Sequence, residues 1–173
     1  MDAIQAILTR RACKNYKPDQ ITDDQLNTIL ECGTYAPTGK GGQSPIIVVI
    51  QDADKIREVE KLNAAAMGNP DGKPFYGAPT LLIVFGDSEV PFCDADANLV
   101  MGNLLNAANA VGVDSCYIWR ANKVFATDEG KALMKKWGIP DTYVGIGNVI
   151  LGYGEEGSKK EAIPRKEGYI VRV

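Results

Sequence analysis

Ile46-Ile47-Val48-Val49-Ile50 is a run of five β-branched residues with no polar side chain among them. A continuous apolar run of this length is typical of a β-strand buried on both faces, because a half-exposed strand would alternate. Three further segments predict strands, at residues 80–85, 116–119 and 144–151. The chain therefore carries the strands of a small buried sheet.

Helical patterns lie between these strands. Asp2 is placed to N-cap a first short helix, and Thr22-Asp23-Asp24-Gln25 fits a capping box for a second helix that Gly33 would end. Three more helices are predicted: one at 53–67, a long one opened by Asp94 or Asp96 and stopped by Gly112, and one that runs from a Thr127 cap to Trp137-Gly138. Because helices alternate with buried strands, we expect helices on both sides of a small sheet, in one domain spanning residues 1–173.

The composition excludes several classes of protein. Hydrophobic residues make up 45% and charged residues 24% of the chain, and the formal net charge is −3. A protein dedicated to nucleic acid would be clearly basic, and the longest apolar runs are too short to cross a bilayer. Cys13, Cys32, Cys93 and Cys116 are scattered without a CxxC pair, and no secretory signal is visible, so we expect a reducing, cytoplasmic location.

The chain has no histidine. This absence excludes Ser-His-Asp and Cys-His catalysis and all His-ligated metal sites, and we predict no metal. An enzyme of this composition must use carboxylates, Lys, Tyr or Cys, or take its chemistry from a cofactor.

A basic cluster, Arg10-Arg11-Ala12-Cys13-Lys14, follows the first helix directly. It could grip a phosphate, but Lys and Arg also complement the negative end of any helix, so both readings stand at this point. The Gly-rich loop Ala36-Pro37-Thr38-Gly39-Lys40-Gly41-Gly42-Gln43-Ser44-Pro45 is equally open: it could approach a flat ligand closely or simply connect a helix to a strand. Neither this loop nor the glycines at 145–152 have the spacing of a P-loop or a Rossmann motif.

Four blocks in order resemble the FMN-dependent nitroreductase family. They are the Arg-Arg-x-x-Lys cluster at 10–14, Ala-Pro-Thr-Gly-x-Gly-x-Gln at 36–43, the segments 96–98 and 103–119, and Val149-Ile150-Leu151-Gly152-Tyr153 followed by Ile163-Pro164-Arg165-Lys166. The resemblance covers most of the chain. It implies an α+β sandwich with helices around a small mixed central sheet, and an obligate homodimer with FMN at the subunit interface.

The resemblance also implies site residues. Carried over by position, the FMN contacts are Arg10, Arg11, Ala12 and Lys14 at the phosphate and the polar edge of the ring; Pro37, Thr38, Gly39, Lys40, Gly41 and Gln43 at the ribityl and ring, partly from the partner chain; Cys116, Tyr117, Ile118 and Trp119 near the reactive face; and Arg165 with Lys166 over the phosphate. Lys73 and Tyr76 could line the substrate side, or be a solvated lysine and a loop-packing tyrosine. No side chain is predicted to be catalytic, because the flavin would carry the hydride chemistry.

Two positions depart from the family pattern. Ala12 stands where a Ser is common, and Gly41 stands where an Asn is common, so one hydroxyl and one amide contact to the cofactor are missing. We predict an oxidoreductase that takes hydride from NADH or NADPH and reduces a small nitroaromatic or quinone by a ping-pong mechanism. The alternatives are a flavoprotein of this fold with a dedicated non-nitro reaction, a non-catalytic FMN-binding protein, and a structural domain without flavin.

Overall fold

The computed structural model describes residues 1–173. Its centre is a four-stranded sheet of β1 (Ile46–Ile50), β2 (Thr80–Asp87), β3 (Asp114–Ile118) and β4 (Tyr143–Gly152), in the order β1-β2-β4-β3. Six α-helices accompany it: α1 (Ala3–Thr9), α2 (Asp23–Thr34), α3 (Ala53–Ala66), α4 (Cys93–Ala110), α5 (Ala121–Val124) and α6 (Asp128–Lys136). The α+β class and the four predicted strands are confirmed.

Every pair of neighbouring strands runs antiparallel, although the resemblance implied a mixed sheet. The parallel component is a single bridge between Ala12 and Ser115, which lies outside the four strands. β2 and β3 are both antiparallel to β4 and therefore run parallel to each other, and the chain crosses from one to the other through α4 with β4 lying between them.

Helices cover both faces of the sheet, as the alternating pattern predicts. Successive side chains of β2 point to opposite faces, so Leu81, Ile83 and Phe85 pack with α3, α5 and α6. Leu82 and Val84 pack on the other face with α2 and α4. The side chains from Leu81 to Phe85 are fully buried, which is why this strand reads as an uninterrupted apolar run.

β1 does not share that burial, although the sequence predicts a strand buried on both faces. It is an edge strand, and its residues 46–48 are only half-buried while Val49 is 38% exposed. A β-branched run therefore identifies the strand but not its place in the sheet.

The helix caps largely follow the sequence. The Asp2 side chain accepts from Gln5 N–H, the capping box of Thr22 and Gln25 is complete, and Thr127 caps α6. Gly33 does not end α2, which continues to Thr34; a Cβ on Gly33 would lie 2.6 Å from Leu104 Cδ2, so this glycine allows α2 to approach α4. α4 begins at Cys93, one residue before the expected aspartates.

Two other features bear on function. β3 ends at Ile118, so Trp119 lies beyond the strand, and the short helix α5 follows where none was predicted. All four cysteines are free, and no helix has the length and apolarity needed to span a membrane.

Candidate functional site

The basic cluster is held against the outer edge of β3. Cys13 N–H donates to Ser115 O at 3.0 Å, and Ala12 forms the parallel bridge to Ser115. On the other side, Cys13 and Tyr16 form bridges to residues that follow β4, Lys159 and Gly154. Residues 12–16 are thus fixed between two segments that are distant in sequence, and this places the cluster beside Cys116.

The charges of Lys14 and Arg10 reach the buried thiol of Cys116. Burial raises the pKa of Cys116, and the two nearby cations oppose that shift without cancelling it. The thiol is therefore protonated at neutral pH and is a poor nucleophile, as expected for a small buried side chain. The same interaction shows that three of the predicted site residues, Arg10, Lys14 and Cys116, lie close together.

The sequence left two roles open for the basic cluster, complementing the end of α1 and binding a phosphate, and its three cations differ in this respect. Arg11 Nη1 donates to Leu8 O at 2.9 Å and to Arg10 O at 2.7 Å, so its guanidinium serves the end of α1. Arg10 and Lys14 have no carboxylate partner, because the only ion pairs in the chain are Arg57–Asp54 and Lys159–Asp114. Two cations on one short segment are left without a counter-charge.

Tyr76 lies beside Lys14, in the loop that the sequence connected with the substrate side. Lys14 Nζ is 5.9 Å from the centroid of the Tyr76 ring, within cation–π range. Tyr76 has a φ of 53°, and the loop is fixed by Phe75 N–H donating to Glu60 Oε1 at 2.7 Å. Lys73 is exposed, and its carbonyl accepts from Tyr76 N–H. The geometry brings Tyr76 into the site and leaves the Lys73 side chain in solvent.

The end of β3 carries unpaired backbone donors. Trp119 and Arg120 N–H have no hydrogen-bond acceptor in the chain, and Arg120 has a φ of 87°. Two fully buried amides hold this turn: Asn148 Nδ2 donates to Ile118 O at 3.0 Å, and Asn63 binds both Trp119 O and Arg120 Nε. Two adjacent N–H groups at the end of β3 are thus left without an acceptor in the chain.

Asn63 and Asn148, which hold this turn, and Arg120 within it are three residues that the sequence did not predict. One signal was available: Asn63 continues the helical spacing of the buried residues Ile56 and Val59 on α3. An amide on the apolar face of a helix must find buried hydrogen-bond partners, and here the partner is the turn after β3.

The Gly-rich loop is an ordered structure at the far edge of the sheet. Gly39 N–H donates to both oxygens of the buried Asp96 at 3.0 and 3.1 Å, and Thr38 Oγ1 accepts from Gln43 N–H at 3.0 Å. A Cβ on Gly39 would lie 2.3 Å from the Phe92 ring, so a larger residue there would force that ring to move. Lys40 and Gln43 take positive φ, and Pro37 and Gly41 are exposed.

This loop does not meet the basic cluster within one chain. It precedes β1, whose first residue Ile46 pairs with Phe85, whereas Cys116 shares a row with Ile150, Leu81 and Ile50. The two edges of the sheet are about 14 Å apart, since neighbouring strands lie about 4.8 Å apart. The predicted contacts therefore form two separate groups in the single chain.

Arg165 and Lys166 lie in neither group. Residues 160–173 are exposed, and no hydrogen bond joins them to the rest of the chain. Arg165 donates only to the carbonyl of Ile163, and Lys166 Nζ lies 5.7 Å from the Tyr169 ring. The structure brings the basic tail to no other predicted site residue.

Comparison with known proteins identifies the family. The Nitroreductase family model matches residues 7–153, and the chain belongs to this family. A nitroreductase from Bacteroides fragilis, solved with bound FMN, is 28% identical and superimposes with a TM-score of 0.91, covering 100% of this chain and 99% of that one.

Relatives from archaea and bacteria agree with this assignment. A protein of Archaeoglobus fulgidus, provisionally named NADH dehydrogenase/NAD(P)H nitroreductase, is 26% identical over 90% of this chain and 87% of its own length. An NADH dehydrogenase of Thermus thermophilus is 27% identical over 87% of this chain and 67% of its own length.

Proposed function

We propose that this protein is an FMN-dependent oxidoreductase that takes electrons from NADH or NADPH and delivers them to a small nitroaromatic or quinone acceptor. The observation that carries the proposal is that β3 has the unpaired cations Arg10 and Lys14 on the segment beside it and the free N–H groups of Trp119 and Arg120 directly after it. Family membership and the FMN bound by the Bacteroides fragilis nitroreductase support it.

The residues present fit FMN. Arg10 and Lys14 supply the positive charge that a phosphate dianion and the electron-rich edge of a reduced ring require. The N–H groups of Trp119 and Arg120 suit the heteroatoms of a planar ring, and Tyr76 offers an apolar face beside Lys14. When bound, FMN would supply the hydride and electron transfer, which agrees with a chain that has no histidine and a protonated Cys116.

The protein's own residues would bind, orient and exclude water. The Tyr76 ring lies within cation–π range of Lys14, and the backbone of Arg10 is fixed as the C-cap of α1, so both cations start from ordered positions. The electron donor and the acceptor would bind in turn at the same face of the flavin. Because the donor product must leave before the acceptor binds, the kinetics would be ping-pong.

We place the Gly-rich loop of a second copy over the β3 wall, which makes the functional unit a homodimer. Two observations support this. The loop and the wall lie at opposite edges of the sheet in one chain. In addition, the apolar side chains of Ile4, Ile7 and Leu8 on α1 are 70%, 59% and 68% exposed. A helix that exposes its apolar residues in this way is typical of an interface.

The first experiment is direct. The purified protein should be yellow, should release FMN on denaturation, and should oxidise NADH or NADPH with a nitroaromatic or quinone acceptor. Parallel double-reciprocal lines at several acceptor concentrations would support the shared site. Colourless protein that neither takes up added FMN nor oxidises NAD(P)H would refute the proposal, and FMN binding without turnover would leave only the flavin-binding part.

A further inference from the structure

The turn at residues 119–123, here called the Trp119 turn, has a strained backbone at Arg120. It is fixed by the side chain of Asn63, which makes hydrogen bonds to this turn alone. Asn63 is fully buried, and its Oδ1 accepts from Arg120 Nε at 3.0 Å while its Nδ2 donates to Trp119 O at 3.4 Å. Arg120 adopts a φ of 87°, a conformation that favours glycine. An arginine kept there at a cost in strain points to a role for its side chain.

Asn63 uses only the inner nitrogen of Arg120. The outer Nη1 and Nη2 groups have no hydrogen-bond partner in the chain, and no carboxylate lies within 4.0 Å of Arg120 or Lys123. The outer edge of a guanidinium has the geometry to bind a carboxylate or phosphate through two parallel hydrogen bonds. The Trp119 turn thus presents a preoriented anion receptor in a protein whose net charge is −3.

An exposed aromatic ring lies next to these charges. The Trp119 side chain is 49% exposed, and Lys123 Nζ lies 5.3 Å from its ring centroid. A large exposed indole with an unpaired lysine beside it and Arg120 next in sequence suits a ligand that combines a flat ring with a negative charge. A purely solvated turn would need neither the buried Asn63 nor the strained backbone.

Helix α3 connects this turn to the proposed flavin site. Glu60 and Asn63 are three residues apart and therefore neighbours on one helix face. Glu60 accepts from Phe75 N–H, which fixes the Tyr76 loop, and Asn63 fixes the Trp119 turn. One helix face thus sets the relative positions of the loop that carries Tyr76 and the turn that carries Arg120.

We propose that the Trp119 turn selects planar substrates that carry an anionic group, with Arg120 binding the anion and Trp119 stacking on the ring. The inference rests on the proposed function, because it assigns a substrate class to that site. The anion could belong to the electron acceptor, as a ring carboxylate, or to the donor, as the additional phosphate of NADPH. Both sources require the same chemistry of Arg120, and the experiment separates them.

The test compares an acid with its neutral isostere. The FMN-loaded enzyme is assayed with 4-nitrobenzoate and 4-nitrobenzamide, and with NADPH and NADH, and the binding of benzoate and benzamide to the oxidised enzyme is measured by calorimetry. Arg120→Gly removes the guanidinium and suits the positive φ, so it should fold, which a thermal melt checks. Arg57→Gln is the control for net charge, because it removes one positive charge from an exposed side chain whose only partner is Asp54.

We expect Arg120→Gly to reduce the preference for 4-nitrobenzoate over 4-nitrobenzamide about tenfold or more, since a charge-assisted pair is lost. Benzoate binding should weaken by a similar factor, while Arg57→Gln leaves both ratios unchanged. Trp119→Leu should weaken binding of the acid and the amide equally. A change confined to the ratio of NADPH to NADH would assign the anion to the donor.

If neither ratio changes in an Arg120→Gly enzyme that still contains FMN and still turns over, the inference is wrong and the proposed function stands. If the wild-type protein holds no FMN, the proposed function itself fails. The FMN content of each preparation therefore distinguishes the two failures.

Discussion

The two groups of predicted cofactor contacts are built in different ways. At the β3 edge, the wall of residues 10–16 and 116–120 is assembled from segments far apart in sequence, joined by Cys13, Asn63 and the bridges after β4. At the β1 edge, the loop of residues 37–43 is largely self-contained and has one long-range anchor, Asp96. One chain thus builds the two groups of predicted contacts separately, at opposite edges of the sheet.

The largest effect is expected at the β3 wall. Arg10→Ala or Lys14→Ala should weaken FMN binding about tenfold to a hundredfold, because each removes a charge-assisted contact to the cofactor. Arg11→Ala is the matched control and should have a clearly smaller effect, since Arg11 serves the carbonyls of Leu8 and Arg10. Fluorescence titration of FMN measures all three. Equal losses would show that Arg11 reaches the phosphate and that the division within the cluster is wrong.

A somewhat smaller effect is expected at the β1-edge loop. Asp96→Ala leaves Gly39 N–H without its acceptor and should destabilise the protein by about 1–3 kcal/mol, because a buried hydrogen bond to a charged group is lost. FMN binding should also weaken although no residue of the β3 wall has changed. Urea unfolding gives the stability, and Asp94→Ala at an exposed position on the same helix is the control. Unchanged FMN affinity in a destabilised protein would separate the loop from the site.

A substitution at residue 12 should strengthen FMN binding. Ala12 is exposed beside the cluster, so Ala12→Ser introduces a hydroxyl without disturbing the core. One added neutral hydrogen bond should strengthen FMN binding by about twofold to tenfold. The same FMN titration measures it, with Ala12→Val as a control that enlarges the side chain without adding a hydroxyl. Equal affinities of the Ser and Val variants would show that residue 12 does not face the phosphate.

The smallest effect is a pH response of the wall. Burial raises the pKa of the Cys116 thiol above its ordinary value of 9.0, so above that pH the unfolded chain loses this proton before the folded chain does. The folded state then binds more protons, and the free energy of unfolding must fall as the pH rises. Urea unfolding at pH 7, 8.5 and 10 should show this fall. Cys116→Ala should reduce its slope, and an identical slope in the variant would assign the response elsewhere.

Local signals allowed much of the fold to be predicted. The Asp2, Thr22 and Thr127 caps and the four strands depend on residues within a few positions of each other, and all are present. The burial of β1 and the role of Gly33 could not be predicted in this way. Both depend on which element lies alongside, since β1 is an edge strand and Gly33 faces Leu104.

The candidate site also depends on contacts between residues that are distant in sequence. The hydrogen bonds that fix its two halves, Gly39 to Asp96 and Arg120 to Asn63, each join residues 57 positions apart. No local pattern pairs such residues, so the sequence predicted Arg10 and Lys14 as site residues but not Asn63 and Asp96, which fix the turn and the loop. The resemblance supplied the predicted contacts, and their separation into two groups became visible only from the strand order.

Subunit complementation tests most directly whether two copies complete one site. Gly39→Val forces a side chain into the Phe92 ring and should disable the loop, while Arg10→Ala disables the wall. Each variant alone should bind FMN poorly. After the two are unfolded and refolded together, random pairing should restore FMN binding in about a quarter of the sites, because each mixed dimer regains one intact wall facing one intact loop. No restoration, in a mixture shown by mass spectrometry to contain mixed dimers, would contradict the shared site.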